Sequence, residues 1–220
     1  MKGPVMGGLA ANLPALVWLL DYGSVLVFAL TGALVASRLQ LDPVGFIFMA
    51  VMTAVGGGTL RDLVLGRDAV FWVDRPSLVL LAAAAAMLVF WGAHLLDSRA
   101  RWIRWLDALA LAAAVPAGVG VALEAGVSPV VVVIMGVFTG TFGGLMRDVV
   151  GNELPMVLKQ GELYVTAAFG GAVAAVALIA LGLDRTLAVA ACGAVTLVLR
   201  LGSMAFGWQL PVYRPRPPRN

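Results

Sequence analysis

The chain carries one short motif twice: Gly57-Gly58-Thr59-Leu60-Arg61-Asp62 returns 86 residues later as Gly143-Gly144-Leu145-Met146-Arg147-Asp148. Residues well outside the motif follow the same offset: Leu20 and Leu106, Asp21 and Asp107, Pro43 and Pro129, Met49 and Met135, Thr53 and Thr139. The chain is therefore an internal duplication. Each copy keeps glycines, an arginine and an aspartate within apolar sequence.

The composition places this chain in a membrane. Hydrophobic residues make up 61% and charged residues 12% of the sequence, the mean hydropathy is +0.98, and a soluble domain carries roughly 25% charged residues. About 20 apolar residues cross a hydrocarbon core of about 30 Å, so the sequence predicts an all-α integral membrane protein with seven transmembrane helices. The predicted spans are Leu16–Ala36, Val44–Leu63, Leu78–Leu96, Leu106–Glu124, Val130–Val150, Leu163–Leu183 and Leu187–Trp208.

The duplication and the spans together predict the domain organisation. Each copy holds three spans, an odd number, so the second copy enters the membrane from the opposite side and the repeats are inverted. In such proteins the polar site lies between the repeats, near the midplane. The predicted segments are an N-terminal segment 1–15, a first three-helix repeat 16–97, a cytoplasmic connector 98–105, an inverted second repeat 106–183, a seventh helix 184–210 and a Pro/Arg-rich cytoplasmic tail 211–220.

Basic residues predict the orientation. One side of the seven-span topology carries Arg38, Arg99, Arg101, Arg104, Lys159, Arg214, Arg216 and Arg219, and the other carries Lys2, Arg67, Arg75 and Arg185. The positive-inside rule then puts the amino terminus outside and the carboxyl tail in the cytoplasm. The tail should attract anionic membrane lipids weakly. The basic residues form no patch long enough to track a phosphate backbone, which disfavours nucleic acid as a partner.

The sequence offers little for catalysis or for a bound cofactor. Cys192 is the single cysteine and His94 the single histidine, and neither belongs to a cluster at metal-ligand spacing. Metalloprotease, nucleophile-elbow and P-loop motifs are absent from the sequence. We therefore expect no enzyme activity, no cofactor and no resident metal ion.

The glycine runs admit two interpretations. Gly56, Gly57 and Gly58 in a helix interior cost on the order of 1 kcal/mol each relative to alanine, so the run should loosen or break the second helix and free carbonyl oxygens as ligands for a small cation. Gly143 and Gly144 hold the matching place in the fifth helix. The alternative is packing, because small residues spaced by four let helices approach closely.

Arginine and aspartate follow both glycine runs. Charges inside a membrane are costly and suggest a functional site, so Arg61, Asp62, Arg147 and Asp148 are candidates. Since adjacent residues on a helix do not face each other, we expect pairing across the repeats, Arg61 with Asp148 and Arg147 with Asp62. The alternative is that both arginines snorkel to the headgroups.

Three further charges have simpler expected roles. Asp21 and Asp107 open the first helix of each predicted repeat, so capping of a helix start is expected. Arg200 lies in the last span and should snorkel to the cytoplasmic surface.

Longer motifs identify a family resemblance. The segments GGGTLRDLVLGR (56–67), GGLMRD (143–148) with NELPMVLKQGELY (152–164), and RLGSMAFGWQLP (200–211) resemble bacterial members of the trimeric intracellular cation (TRIC) channel family. The resemblance implies a homotrimer with a pore inside each subunit that passes monovalent cations, chiefly potassium. It also implies that Gly56–Gly58 and Gly143–Gly144 are kinks of pore-lining helices where potassium could bind transiently. Phe142 replaces the first glycine of the second run, so the two kinks should be unequal.

Other functions stay open at this point. Similar bacterial sequences are also described as glycine transporters, and inverted repeats are typical of secondary transporters. A membrane assembly protein without transport activity is a third alternative, although the sequence offers no soluble module for assembly. The resemblance also implies a bacterial inner (plasma) membrane location.

Overall fold

A computed structural model of the chain describes residues 13–96, 98–159 and 162–211. Within these ranges the regular structure is helical. The α-helices are α1 Leu13–Arg38, α2 Pro43–Val64, α3 Phe71–Asp74, α4 Ser77–Gly92, α5 Arg99–Glu124, α6 Pro129–Val150, α7 Val165–Ala180 and α8 Arg185–Phe206. Short 3-10 turns follow at Ala93–Leu95 and Met156–Leu158. Residues 1–12 and most of the predicted tail lie outside the described residues.

Local sequence accounts for where several helices begin and end. Asp42 caps α2 by accepting a hydrogen bond from the Gly45 N–H at 2.7 Å, and Pro43 starts the helix, where its missing N–H has no intrahelical partner to lose. Asp184 caps α8 in the same way. α8 ends at Gly207, whose φ of 68° is the left-handed conformation that glycine tolerates at a helix end.

Within the described residues, six helices are long and apolar enough to cross a membrane: α1, α2, α4 with its 3-10 extension, α5, α6 and α8. Together they make this a multi-pass membrane protein. α7 is apolar but has 16 residues, roughly 24 Å at 1.5 Å per residue. It is shorter than the predicted span Leu163–Leu183 because Leu163 donates its N–H to Ser203 in a loop, and because Gly182 ends the helix with a φ of 90°.

The predicted connector 98–105 is helical from Arg99 onward. Ser98 caps a helix start, with its hydroxyl accepting from the Arg101 N–H, and α5 begins at Arg99. The side chain of Arg99 bonds to carbonyl oxygens of Ala93 and Ser37, so these contacts and the cap hold the basic stretch in a helix.

The ends of the helices and the loops between them lie at two opposite faces of the molecule. At the first face, the start of α1 lies beside the end of α5 and the loop after α2, since Val17, Val121 and Arg67 line one cavity. At the second face, the end of α1 lies beside the start of α5 and the loop after α6, through Arg99 with Ser37 and Arg38 with Glu153. Helices α1 and α5 are therefore antiparallel, and α5 is the most buried of the long helices.

Candidate functional site

Helices α2 and α6 cross at glycines from both motifs. A Cβ atom on Gly57 would overlap the carbonyl oxygen of Thr139, and one on Gly143 would overlap the carbonyl oxygen of Thr53. The two contacts are equivalent under the 86-residue offset, and they show that the helices run antiparallel. Such contact between backbones is what small residues permit between membrane helices.

The glycines do not break their helices. α2 is helical through Gly56, Gly57 and Gly58, and α6 is helical through Gly143 and Gly144. The prediction of a helix break is therefore wrong. Packing against the facing helix holds the backbone helical, because tertiary context overrides the low helix propensity of glycine.

The other three glycines make room for side chains. A Cβ on Gly56 would lie 2.8 Å from the sulfur of Met146, and one on Gly58 would overlap the ring of Phe71. On Gly144 it would lie 3.0 Å from the hydroxyl oxygen of Tyr164. All five candidate glycines thus lie at tight contacts.

The first arginine cluster consists of Arg61, Asp62, Asp21 and Arg75. Arg61 is fully buried; its Nε donates to Asp62 Oδ1 at 2.7 Å and its Nη1 to Asp21 Oδ1 at 3.2 Å. Asp21 also accepts from Arg75 Nη2 at 2.7 Å. Asp62 Oδ2 accepts the backbone N–H of Phe71 at 2.7 Å, so the aspartate fixes the loop after α2 as well.

The second arginine cluster consists of Arg147, Asp148, Asp107 and Thr31. Arg147 Nε donates to Asp148 Oδ1 at 2.9 Å, and its Nη1 donates to Asp107 Oδ1 at 2.8 Å and to Thr31 Oγ1 at 2.9 Å. Asp148 Oδ2 accepts the backbone N–H of Met156 at 2.8 Å. The arginine, two aspartates and loop N–H of the first cluster are therefore repeated, and Thr31 joins from the other copy.

These contacts correct the predicted pairing. Arg61 pairs with Asp62 and Arg147 with Asp148, although adjacent helical residues were not expected to meet. Both pairs lie near the carboxyl end of their helix. There the arginine side chain is long enough to bend so that its Nε reaches the carboxylate of the next residue. The expected pairs Arg61–Asp148 and Arg147–Asp62 are not among the ion pairs of the described residues.

Asp21 and Asp107 are not helix caps. Each is the ninth residue of its helix, since α1 begins at Leu13 and α5 at Arg99, and each is buried against an arginine 40 residues later. The snorkelling alternative is also wrong for Arg61 and Arg147, because both side chains are 0% exposed and are neutralised inside the protein.

Arg200 is likewise buried and does not snorkel. Its Nη2 donates to Glu162 Oε2 at 2.7 Å, and its guanidinium carbon lies 5.1 Å from the ring centre of Tyr164. Because the hydroxyl of Tyr164 faces Gly144, α8 reaches the second cluster through this tyrosine. Glu162, Tyr164, Thr31 and Arg75 were not predicted as site residues. In the sequence, an aspartate precedes the arginine by 40 residues in both copies. That signal could have identified Asp21 and Asp107 as the arginine partners, but not the four residues above.

The first cluster borders a cavity of about 230 Å³ at the first face. Its walls include Asp21, Phe71 and Arg75 from the cluster side and Asp74 and Glu124 nearer the face. Arg75 has a side chain that is 27% exposed, so it joins the buried charges to the cavity. A larger surface hollow, about 590 Å³, lies between Leu95 and Trp105, away from both clusters.

The second cluster has polar atoms left over. Asp107 Oδ2 and the Tyr164 hydroxyl are buried without a hydrogen-bond partner among the described residues, and Arg61 Nη2 is in the same situation in the first cluster. A buried polar group without a partner is costly, so the two oxygen atoms offer places for water or a hydrated cation, and the Arg61 nitrogen, a donor on a cation, offers one for water. Within residues 13–96, 98–159 and 162–211, no group of three or more His, Cys, Asp or Glu side chains comes together to hold a metal ion.

Comparison with known proteins agrees with the duplication. The family model described as "Glycine transporter" matches residues 18–94 and again residues 104–180, the same 86-residue offset. The inner membrane protein YadS of Escherichia coli K12, of the UPF0126 group, is 39% identical over 203 residues, covering 90% of this chain and 96% of that protein. A UPF0126 membrane protein of Vibrio cholerae is 37% identical over 207 residues, covering 90% and 83%.

Solved structures show the same fold. The TRIC trimeric intracellular cation channel orthologue from Rhodobacter sphaeroides superposes with a TM-score of 0.84 at 45% identity, covering 87% of this chain and 98% of that one. A prokaryotic TRIC channel solved in 0.5 M KCl gives a TM-score of 0.80 at 28% identity, covering 90% and 100%. The resemblance that the motifs predicted is therefore confirmed.

Proposed function

This chain belongs to the membrane protein family described as glycine transporters, whose TRIC-like fold it has, and on that premise we propose that it is a channel for monovalent cations, chiefly potassium. The ion path runs inside each subunit, beside the α2–α6 crossing and between the two arginine clusters. The subunit has seven spans, with α7 as the short sixth span, arranged as two inverted three-helix repeats followed by α8.

One observation carries the proposal: the same buried arginine with two aspartates occurs at each end of the α2–α6 crossing. Charges inside a membrane protein are costly and are retained for function. The second cluster has one arginine for two carboxylates, and it therefore carries a net negative charge that favours a cation. Carboxylate oxygens bind cations in such pathways.

The structure changes which oxygen atoms we expect to bind the ion. Because α2 and α6 stay helical at the glycines, their carbonyls are not freed as the sequence suggested. The buried carboxylate of Asp107, with Oδ2 unpartnered among the described residues, is a better candidate ligand. Gly57 and Gly143 then position the path by setting the distance between the helices.

We infer the assembly and the cellular location of this protein from the descriptions of its relatives. The Rhodobacter orthologue is described as trimeric and the Escherichia coli relative as an inner membrane protein. We propose a homotrimer in the bacterial inner membrane, with the first face outside and the second face in the cytoplasm, as the positive-inside rule predicts.

A glycine transporter is the second candidate. Two observations favour it: the description of the family, and a cavity that reaches the first cluster from one face. A carrier with alternating access would need such one-sided access.

Purified protein distinguishes the two functions. A channel gives discrete potassium currents in a planar bilayer, whereas a carrier gives slow, saturable uptake of labelled glycine into proteoliposomes. We expect discrete currents and no glycine uptake above that of protein-free vesicles. Saturable glycine uptake without discrete currents would overturn the channel proposal.

A further inference from the structure

Four charged side chains occupy equivalent positions in the two copies, with their signs reversed. Arg38 ends α1, and its counterpart 86 residues later, Glu124, ends α5. Arg67 follows α2, and its counterpart Glu153 follows α6. Each copy therefore contributes one member to a possible ion pair at each face.

The loop members are held in the same way. The backbone N–H of Arg67 donates to the carbonyl oxygen of Asp62 at 3.0 Å, and that of Glu153 donates to the carbonyl oxygen of Asp148 at 2.8 Å. The backbone of each residue is therefore hydrogen-bonded to the aspartate of an arginine cluster. If the aspartate of either cluster moved, this hydrogen bond would move the neighbouring charged residue with it.

The pair at the second face is closed. Arg38 Nη1 lies 2.8 Å from Glu153 Oε1. Behind it Val35 is 1% exposed and packs toward Gly151, where a Cβ would lie 3.1 Å from the Val35 side chain. The ion pair therefore lies close in sequence to an apolar contact between α1 and the end of α6.

The pair at the first face is open. Arg67 lies 3.7 Å from Asp62, and the described side chains of Arg67 and Glu124 form no ion pair within 4.0 Å. Instead they border a space of about 270 Å³ together with Val121. Val121 is the counterpart of Val35 and is also buried, at 4% exposed, but it lines this space, whereas Val35 packs toward Gly151.

We propose that these two charge-reversed pairs are the gates of the pathway, Arg38–Glu153 at the second face and Arg67–Glu124 at the first. The structure is the state with the second gate shut and the first gate open. The first gate shuts when Glu124 moves onto Arg67. This inference rests on the proposed function, because a gate needs a pathway through the subunit.

The exposure of the second gate suits this role. Its side chains are 39% and 28% exposed, and an ion pair that water reaches contributes little net stability. Breaking the pair is therefore easy compared with breaking either arginine cluster. Sign reversal also gives each face one acid and one base, so each gate closes with residues from both copies.

Thiol labelling tests the gates without measuring transport. Val35→Cys and Val121→Cys are made separately in a Cys192→Ser background and exposed to a small cationic methanethiosulfonate in nanodiscs, where both faces are accessible. We expect Val35→Cys to be protected and Val121→Cys, which borders a cavity, to react faster. Adding Glu153→Gln or Arg38→Gln should raise the reaction rate of Val35→Cys by about fivefold, the factor equivalent to ~1 kcal/mol for an exposed pair.

The charge swap is the matched control. Arg38→Glu combined with Glu153→Arg should restore protection of Val35→Cys, and Glu124→Gln should leave it unchanged. Ready labelling of Val35→Cys in the starting background, or no rescue by the swap, would overturn the gates.

Potassium flux on the same variants separates the two proposals. Faster labelling with no potassium flux in any variant would refute the channel and leave a moving second face. Normal potassium flux with no effect of Glu153→Gln and Arg38→Gln on labelling would refute the gate and leave the channel standing.

Discussion

The two arginine clusters share a core and differ in what surrounds it. Both hold a buried arginine between two aspartates and tie the second aspartate to a loop N–H. The first adds Arg75 and borders a cavity, whereas the second adds Thr31 and lies against Tyr164. The shared core fixes the end of a helix to its loop, and the differing surroundings leave the first cluster beside a cavity and the second against Tyr164.

The charge balance differs accordingly. In the first cluster Arg61 and Arg75 face two aspartates, and Arg67 lies 3.7 Å from Asp62 as a third arginine, whereas in the second cluster one arginine faces two aspartates. Glu162 and Arg200 neutralise each other nearby and leave that imbalance unchanged. The second cluster is therefore the more negative and the more dependent on its single arginine.

The largest difference should come from removing that arginine. Arg147→Gln leaves Asp107 and Asp148 buried without a cation, and an uncompensated buried charge costs about 3–5 kcal/mol. Arg61→Gln should cost less, because Arg75 still neutralises Asp21. Thermal unfolding in nanodiscs, followed by tryptophan fluorescence, should show the lower midpoint for Arg147→Gln. Equal midpoints would mean that Arg75 does not compensate.

Alanine substitutions at the two glycines of the α2–α6 crossing should have the same effect in both copies. Gly57→Ala and Gly143→Ala each place a methyl group on a facing carbonyl oxygen, and overpacking of this kind costs about 1–3 kcal/mol. We expect the helices to move apart and the potassium current to fall while the oligomer stays intact. Planar bilayer recording and size-exclusion chromatography measure the two quantities.

Gly23→Ala is the matched control for the crossing. It makes the same change within helix α1, where a Cβ meets no atom within 4 Å. It should therefore leave current and assembly unchanged. Loss of the oligomer before any loss of current in the crossing variants would assign the glycines to packing alone.

The fold was largely predictable, because it depends on repeated local signals. Long apolar runs predicted six of the seven long helices to within a few residues at both ends, and the 86-residue offset paired their equivalents. α7 and the start of α5 were harder to predict. There a buried loop takes two apolar residues out of the helix, and a serine cap with side-chain contacts makes a basic stretch helical.

The charged residues of the site could be predicted from the sequence, but the residues that they contact could not. Arg61, Asp62, Arg147 and Asp148 do form the clusters, since buried charge within apolar sequence marks them directly. Their contacts with Asp21 and Asp107 depend on how α1 packs on α2 and α5 on α6. A single sequence carries no signal for that packing beyond the equal spacing.

A smaller effect should come from Thr31, which the other copy lacks. Its counterpart is Ala117, so only the second arginine gains a hydroxyl partner. Thr31→Val keeps the shape and removes the acceptor. A hydrogen bond to a charged group contributes about 1.5–3 kcal/mol, and because both aspartates still bind Arg147 we expect a loss at or below the low end of that range. Thr141→Val is the control, since that hydroxyl bonds only to the Val137 carbonyl among the described contacts. A midpoint that falls equally in both variants would remove Thr31 from the cluster.

The smallest effect on stability should come from Arg75, and its removal would bring the charge of the first cluster closer to that of the second. Arg75→Gln removes one partner of Asp21 from a partly exposed position, so the free energy of unfolding should change by less than about 1 kcal/mol. The cavity would lose a positive charge, and cations should enter more easily, most visibly at low salt because about 0.1 M salt screens charges beyond about 10 Å. Single-channel conductance at low and high potassium measures this, with Arg185→Gln, an exposed change at the same face, as the control. A gain that persists at high salt, or that Arg185→Gln reproduces, would mean that Arg75 does not act through the charge of the cavity.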